Sequence, residues 1–211
     1  METNGGGWTL VWSHTFTNYD FFRAASNAVT PRPNWPANPD VDVPISTTPP
    51  LGETDFNAMD FCLWKQLGRQ VLIKSNVNNW LICHPGTGSL VDWQEGNVSC
   101  QIVKRVTDKC LETSAPSSVS PVDRSLCGPM FLSTSFWVDG YYYFDGCTRK
   151  DWPIFDPCGV TSGQWSYMTN VSNPHGNIFI RWTSIIDVSS LSIILIKRYL
   201  LNKDDKVNVF N

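Results

Sequence analysis

The sequence predicts an α+β domain that is rich in strands and loops, has short helices and is stabilised by disulfides. Three observations support this class. The 211-residue chain is long enough for one buried core, and 42% of its residues are hydrophobic, with ten tryptophans among the aromatics. Runs of aromatic and β-branched residues alternate with turn-forming glycine, proline and asparagine. Seven cysteines are spread along the chain without a CxxC pair.

The predicted elements follow one another in a mixed order. Helices are expected at residues 19–29 and 55–68, the second with Asp55 as its cap and Gly68 as its stop. Two loops are predicted, a proline-rich one at residues 31–52 and a serine-rich one at residues 113–121. Strands are expected at residues 8–13, 69–74, 80–83, 100–106 and 178–182, with a hairpin at 136–144.

The cysteines indicate an oxidising compartment, because disulfides form and persist outside the reducing cytosol. Cys62, in an apolar helical stretch, is the candidate for the odd thiol. Short loops close at low entropic cost, which favours Cys83 with Cys100 and Cys147 with Cys158, although other connectivities stay open. The alternative is a cytosolic protein with buried free thiols. The six disulfide candidates are Cys83, Cys100, Cys110, Cys127, Cys147 and Cys158.

Two glycosylation sequons, at Asn97 and Asn170, also favour secretion. Residues 1–15 lack the basic start and apolar run of a signal peptide, so we expect the chain to be the C-terminal part of a longer protein. The apolar stretch at residues 191–201 is shorter than the ~20 residues that span a bilayer, so no membrane span is expected.

Charge and motif patterns argue against two other classes. The net charge is −3 and no basic stripe is interleaved with aromatics, so nucleic acid is not an expected partner. The three histidines, His14, His84 and His175, have no metal-binding spacing, and no G-x-S-x-G elbow is present. The sequence therefore predicts a protein that is not an enzyme.

Residues 1–9, METNGGGWT, resemble the opening segment of fibrinogen C-terminal-like domains. Further segments, among them NNWLICHPGTGSLVDW, WPIFDPCG and NPHGNIFIRW, are similar to a divergent branch found in coral skeletal organic matrix proteins. The resemblance covers residues 1–182, which we interpret as one N-terminally truncated fibrinogen C-terminal-like domain. Residues 183–211 form an unassigned C-terminal tail.

The resemblance implies a non-catalytic recognition module that binds carbohydrate or acetylated groups and can hold calcium. Asp145, Asp151 and Asp156 are the calcium candidates, but Arg149 and Lys150 interrupt them, which departs from the family pattern. Turn-forming aspartates are the alternative interpretation. The candidates for an aromatic wall against a sugar, or for core positions instead, are Tyr141, Tyr142, Tyr143 and Trp152.

Two functions follow from these patterns. The first is a secreted extracellular matrix protein, as a component of a skeletal biomineral matrix, that acts by adhesion or framework organisation. With 19 acidic residues and a pI of 5.5, the chain lacks the strongly acidic composition of mineral-nucleating proteins. The alternative is a lectin-like module. Expected partners are extracellular matrix components or glycans.

Overall fold

The computed structural model describes residues 6–18, 24–27, 46–106, 115–119, 130–133, 142–146, 154–156 and 171–182. Within these ranges nine strands form one antiparallel sheet. The strands are β1 (Thr9–Thr15), β2 (Gln70–Ser75), β3 (Trp80–Pro85), β4 (Gly96–Lys104), β5 (Pro116–Val119), β6 (Met130–Ser133), β7 (Tyr142–Asp145), β8 (Ile154–Phe155) and β9 (His175–Arg181). Their order across the sheet is β1-β9-β2-β3-β4-β5-β6-β7-β8.

Strand β9 lies between β1 and β2, so the last described strand joins the first strand to the rest of the sheet. Five consecutive residues of β9, from Gly176 to Ile180, are buried, which is typical of a strand that is covered on both faces. In contrast, β4 alternates exposed and half-buried residues, which is typical of a strand with one face in water.

The two faces of the sheet carry different side chains. One face packs against a large cluster of buried residues that includes Trp12, Val71 and Ile178. The other face carries a smaller cluster of Trp8, Leu10, Leu72, Ile82 and Phe179. The alternation of side chains along β2 and β9 therefore separates two apolar layers, as the period of a strand requires.

The larger layer contains what we call the aromatic core. Its rings meet at centroid distances of about 5–6 Å, in stacked and edge-to-face arrangements that aromatic pairs favour. The members of the aromatic core are Trp12, His14, Phe16, Phe61, Trp64, Tyr143, Phe144 and Phe155.

The helix predicted at residues 55–68 is much shorter in the structure, where α1 comprises only Phe61–Trp64. The backbone before it pairs with β1 instead: the Met59 amide donates to the Val11 carbonyl at 2.8 Å. Asp60 caps α1, and its carboxylate accepts from the Cys62 amide at 2.8 Å. Pairing with a neighbouring strand therefore outweighs the helical spacing of the apolar residues.

Gly68 does not stop the helix as predicted, because α1 already ends at Trp64, but it has another role in the structure. Its φ of 125° is one that L side chains rarely adopt, and a Cβ placed there would lie 2.0 Å from the Arg181 carbonyl oxygen. The glycine therefore allows the chain to pass directly against the end of β9. Of the helix predicted at 19–29, the described part is residues 24–27, with a 3-10 turn at Ala25–Asn27.

The strand-rich, disulfide-stabilised architecture is confirmed, and within the described ranges the helical share is smaller than expected. Strands β1, β2, β3, β4 and β9 match the predicted segments with shifts of a few residues. Strand β5 lies in the predicted loop at 113–121, and only the end of the predicted hairpin at 136–144 falls within the described residues, as part of β7. Over the ranges that the structure describes, the helices are all too short to cross a membrane.

Candidate functional site

The Cys83–Cys100 disulfide joins β3 to β4 at directly opposed positions in the register. Cys83 is buried against the aromatic face of the sheet, and Cys100 packs at the edge of the same cluster. This pairing agrees with the prediction from loop length. The other disulfide candidates, Cys110, Cys127, Cys147 and Cys158, lie outside the described residues.

Tyr143, proposed for a ligand-binding wall, lies in the aromatic core with no exposed surface. Burial, reinforced by the charge of Asp156, raises the pKa of its phenol well above the ordinary value. Its hydroxyl has no hydrogen-bond partner among the described residues. The structure therefore places Tyr143 as a packing residue. Tyr141, Trp152 and the side chain of Tyr142 lie outside what the structure describes.

The calcium candidates that the structure describes differ in how deeply they are buried. Asp156 is fully buried, and its amide donates to the Tyr143 carbonyl at 2.9 Å, next to the β7–β8 pair. Asp145 is half-buried and lies opposite Ile154 in the same pair, and Asp151 falls outside the described residues. Among the residues with described positions, no group of three or more His, Cys, Asp or Glu side chains could hold a metal ion.

His14 is a second strongly perturbed titratable group in the aromatic core, besides Tyr143. It is fully buried between Trp12, Phe16 and Phe155, at ring-centroid distances of 5.2–6.2 Å. Neither ring nitrogen has a hydrogen-bond partner in the described part of the chain. Burial lowers the pKa of its imidazole from 6.5 to about 3, so His14 is neutral at physiological pH.

A surface cleft of about 330 Å³ lies between α1 and the turn that follows β3. We call it the α1 cleft, and the residues that line it are Phe61, Cys62, Lys65, Val91, Asp92 and Trp93. Phe61 and Val91 are buried, whereas Cys62, Lys65 and Asp92 are exposed. The α1 cleft therefore combines an apolar interior with a polar rim, as small-molecule sites do.

The turn at residues 89–94 holds the far side of the α1 cleft in place. Ser89 and Gln94 exchange two backbone hydrogen bonds, of 2.9 and 3.0 Å. Trp93 has a φ of 54°, a left-handed conformation that is unusual for an aromatic residue. Asp92 is fixed through one carboxylate oxygen, which accepts from the Ser89 hydroxyl at 2.7 Å and from the Arg69 guanidinium at 2.6 Å.

Cys62, the predicted odd cysteine, is free and exposed at the α1 cleft. Partial desolvation raises the pKa of its thiol, and the neighbouring carboxylate of Asp60 acts in the same direction. A raised pKa leaves less of the nucleophilic thiolate at neutral pH. The environment of Cys62 thus lacks the activation that a catalytic cysteine needs.

Asn97, the first glycosylation candidate, is exposed on β4, and Ser99 of the same sequon is exposed on the same face of the strand. The Asn97 backbone amide donates to the Thr87 hydroxyl at 2.9 Å, and the residue is exposed to solvent. Asn170 lies outside the described residues.

The comparison with known proteins gives no assignment: no family model, curated protein or solved structure matches the chain. The site must therefore be interpreted from its own geometry. Sequence reasoning missed the α1 cleft, because strands β2 and β3 and their turns separate Phe61 and Lys65 from Trp93 along the chain. The only local signal is the Ser-Leu-Val-Asp-Trp-Gln turn, which carries a tryptophan between polar residues.

Proposed function

We propose that the chain is a non-catalytic, secreted protein of the extracellular matrix that acts by adhesion or by organising a framework, including a skeletal biomineral framework. The Cys83–Cys100 disulfide carries this proposal. A cross-link between paired strands is stable in an oxidising environment and rare in the cytosol. The fibrinogen-like resemblance of residues 1–182 supports the same compartment and remains part of the proposal.

The burial of Tyr143 favours the matrix role over the lectin-like alternative. A residue with no exposed surface offers no face for a sugar to stack on. The exposed face of β4, with Asn97, Ser99 and Gln101, instead presents short polar side chains that suit many weak contacts or a covalent glycan. Adhesion by a matrix protein requires such a surface and does not require a deep pocket.

The proposal is tested on native material by fractionation and peptide mapping without reduction. We expect the protein in the extracellular insoluble fraction, with the Cys83 and Cys100 peptides linked and the Asn97 peptide carrying a glycan. Recovery from the cytosol with both thiols free would contradict the proposal. A screen of glycans and acetylated compounds then separates the two roles, because saturable, competitor-sensitive binding supports the lectin-like module instead.

A further inference from the structure

The α1 cleft has the size and the walls of a small-ligand site. Its volume of about 330 Å³ is near the lower end of the range for such sites. Phe61 is held from behind by stacking on Trp12 and by an edge contact with Trp64, at centroid distances of 5.6 and 5.0 Å. Trp93 is held by the hydrogen-bonded turn. The apolar walls are therefore preorganised for a compact apolar group.

The charges at the rim favour an anion. Lys65 and Asp92 are the charged side chains in the lining, and the ion pair with Arg69 compensates the charge of Asp92. Lys65 is exposed and has no ion pair among the described residues. The nearby carboxylate of Asp60 lies outside the lining and accepts from the Cys62 amide. Among the described residues, the Lys65 ammonium is thus the charge in the lining that has no ion pair.

From these two features we propose that the α1 cleft binds a small organic carboxylate. The apolar body of the ligand packs against Trp93 and Phe61, and its carboxylate lies at the Lys65 ammonium. The apolar walls supply most of the affinity, because burial of apolar surface is the main favourable contribution at such a site. The ammonium selects the sign of the charge. This inference is independent of the proposed matrix role.

Three probes that share a phenyl ring test the inference: phenylacetate, 2-phenylethanol and 2-phenylethylamine. Each is titrated at low ionic strength by saturation-transfer NMR, and the site is located by the protection of Cys62 from alkylation, measured on its peptide. We expect phenylacetate to bind roughly fivefold more tightly than the alcohol, as one solvent-exposed charge pair provides, and the amine to bind most weakly.

Variants at the rim separate the role of charge from that of packing. Lys65→Gln should make phenylacetate and the alcohol bind equally, and Lys65→Glu should favour the amine. Lys104→Gln is the matched control, because Lys104 is also exposed but lies over the Trp80 ring, away from the α1 cleft. Trp93→Ala should weaken all three probes by roughly tenfold, whereas Trp182→Ala, at a tryptophan that is 64% exposed, should leave them unchanged.

Three results would overturn the inference. One is the absence of saturable phenylacetate binding or of Cys62 protection. Another is equal binding of the acid, the alcohol and the amine to the unaltered protein. The third is an equal effect of Lys65→Gln and Lys104→Gln. Circular dichroism confirms folding of each variant, and Trp93→Phe replaces Trp93→Ala if the latter unfolds, with an expected loss smaller than that of the alanine variant.

Discussion

Two groups of aromatic side chains differ in what surrounds them. In the aromatic core, Trp12, Trp64 and Tyr143 are fully buried. In the α1 cleft, Trp93 is half-buried, sits on a left-handed turn and borders an open volume. Phe61 belongs to both groups, with its inner side in the core and its outer side at the cleft. Aromatic content alone thus does not distinguish packing from binding, whereas backbone placement does.

The largest expected effect on the free energy of unfolding comes from acid, through His14 in the aromatic core. In the unfolded chain His14 binds a proton below pH 6.5, whereas in the folded chain it stays neutral down to about pH 3, because its pKa is lowered. The stability from neutral His14 is therefore complete above pH 6.5 and is lost as the pH falls towards 3, by about 5 kcal/mol in total.

Urea denaturation at pH values from 7.5 to 4 measures the part of this loss that falls in that range, about 3 kcal/mol. His14→Leu is the control, because it removes the titrating group and should flatten the dependence between pH 6.5 and 5, where few carboxylates titrate. Equal slopes for the two proteins in that window would show that His14 does not remain neutral when folded.

Tryptophan substitutions compare the two groups directly. Trp64 is fully buried and its indole N–H donates to the Met59 carbonyl at 3.0 Å. Trp64→Ala should lower the free energy of unfolding by about 4 kcal/mol through lost burial and a cavity. Trp93→Ala should lower it by about 1 kcal/mol, because Trp93 is only half-buried and less burial is lost. Urea denaturation of both variants measures the difference, and equal losses would place Trp93 in the core.

Much of the central sheet was predictable because its strands have local signals. Strands β1 and β9 are runs of aromatic and β-branched residues bounded by turn residues, and each was expected from sequence. Strand β5 was not, since Pro116–Val119 has the composition of a loop. It becomes a strand by pairing with β4 and β6, and the residues of β5 alone do not predict that pairing.

The site was less predictable than the sheet for a related reason. The sequence indicates that Tyr143 and Trp93 are both aromatic and both near polar residues, but it does not show which of them a distant segment covers. Tyr143 is covered because β8 places Phe155 beside it, at a centroid distance of 6.0 Å. Trp93 is only half-buried because it borders the open volume of the α1 cleft. The distinction arises from tertiary packing.

The cysteines give a smaller contrast of the same kind, between a buried cross-link and an exposed thiol. Replacement of Cys83 and Cys100 together by alanine should lower the free energy of unfolding by about 3 kcal/mol, as expected for a link across 17 residues. Cys62→Ser should change it by less than about 0.5 kcal/mol, since Cys62 is exposed. Thermal and urea unfolding measure both, and a large effect at Cys62 alone would contradict the assignment.

At Tyr143 the sign of the expected effect is informative. Tyr143→Phe removes a buried hydroxyl that has no partner among the described residues, so the free energy of unfolding should stay the same or rise by up to about 1 kcal/mol. Tyr143→Leu, which also removes ring volume from the core, should lower it by about 2 kcal/mol. Neither change should alter phenylacetate binding at the α1 cleft. A loss of stability above about 1 kcal/mol in the phenylalanine variant would reveal a hydrogen bond to this hydroxyl and would restore Tyr143 as a candidate for a polar site.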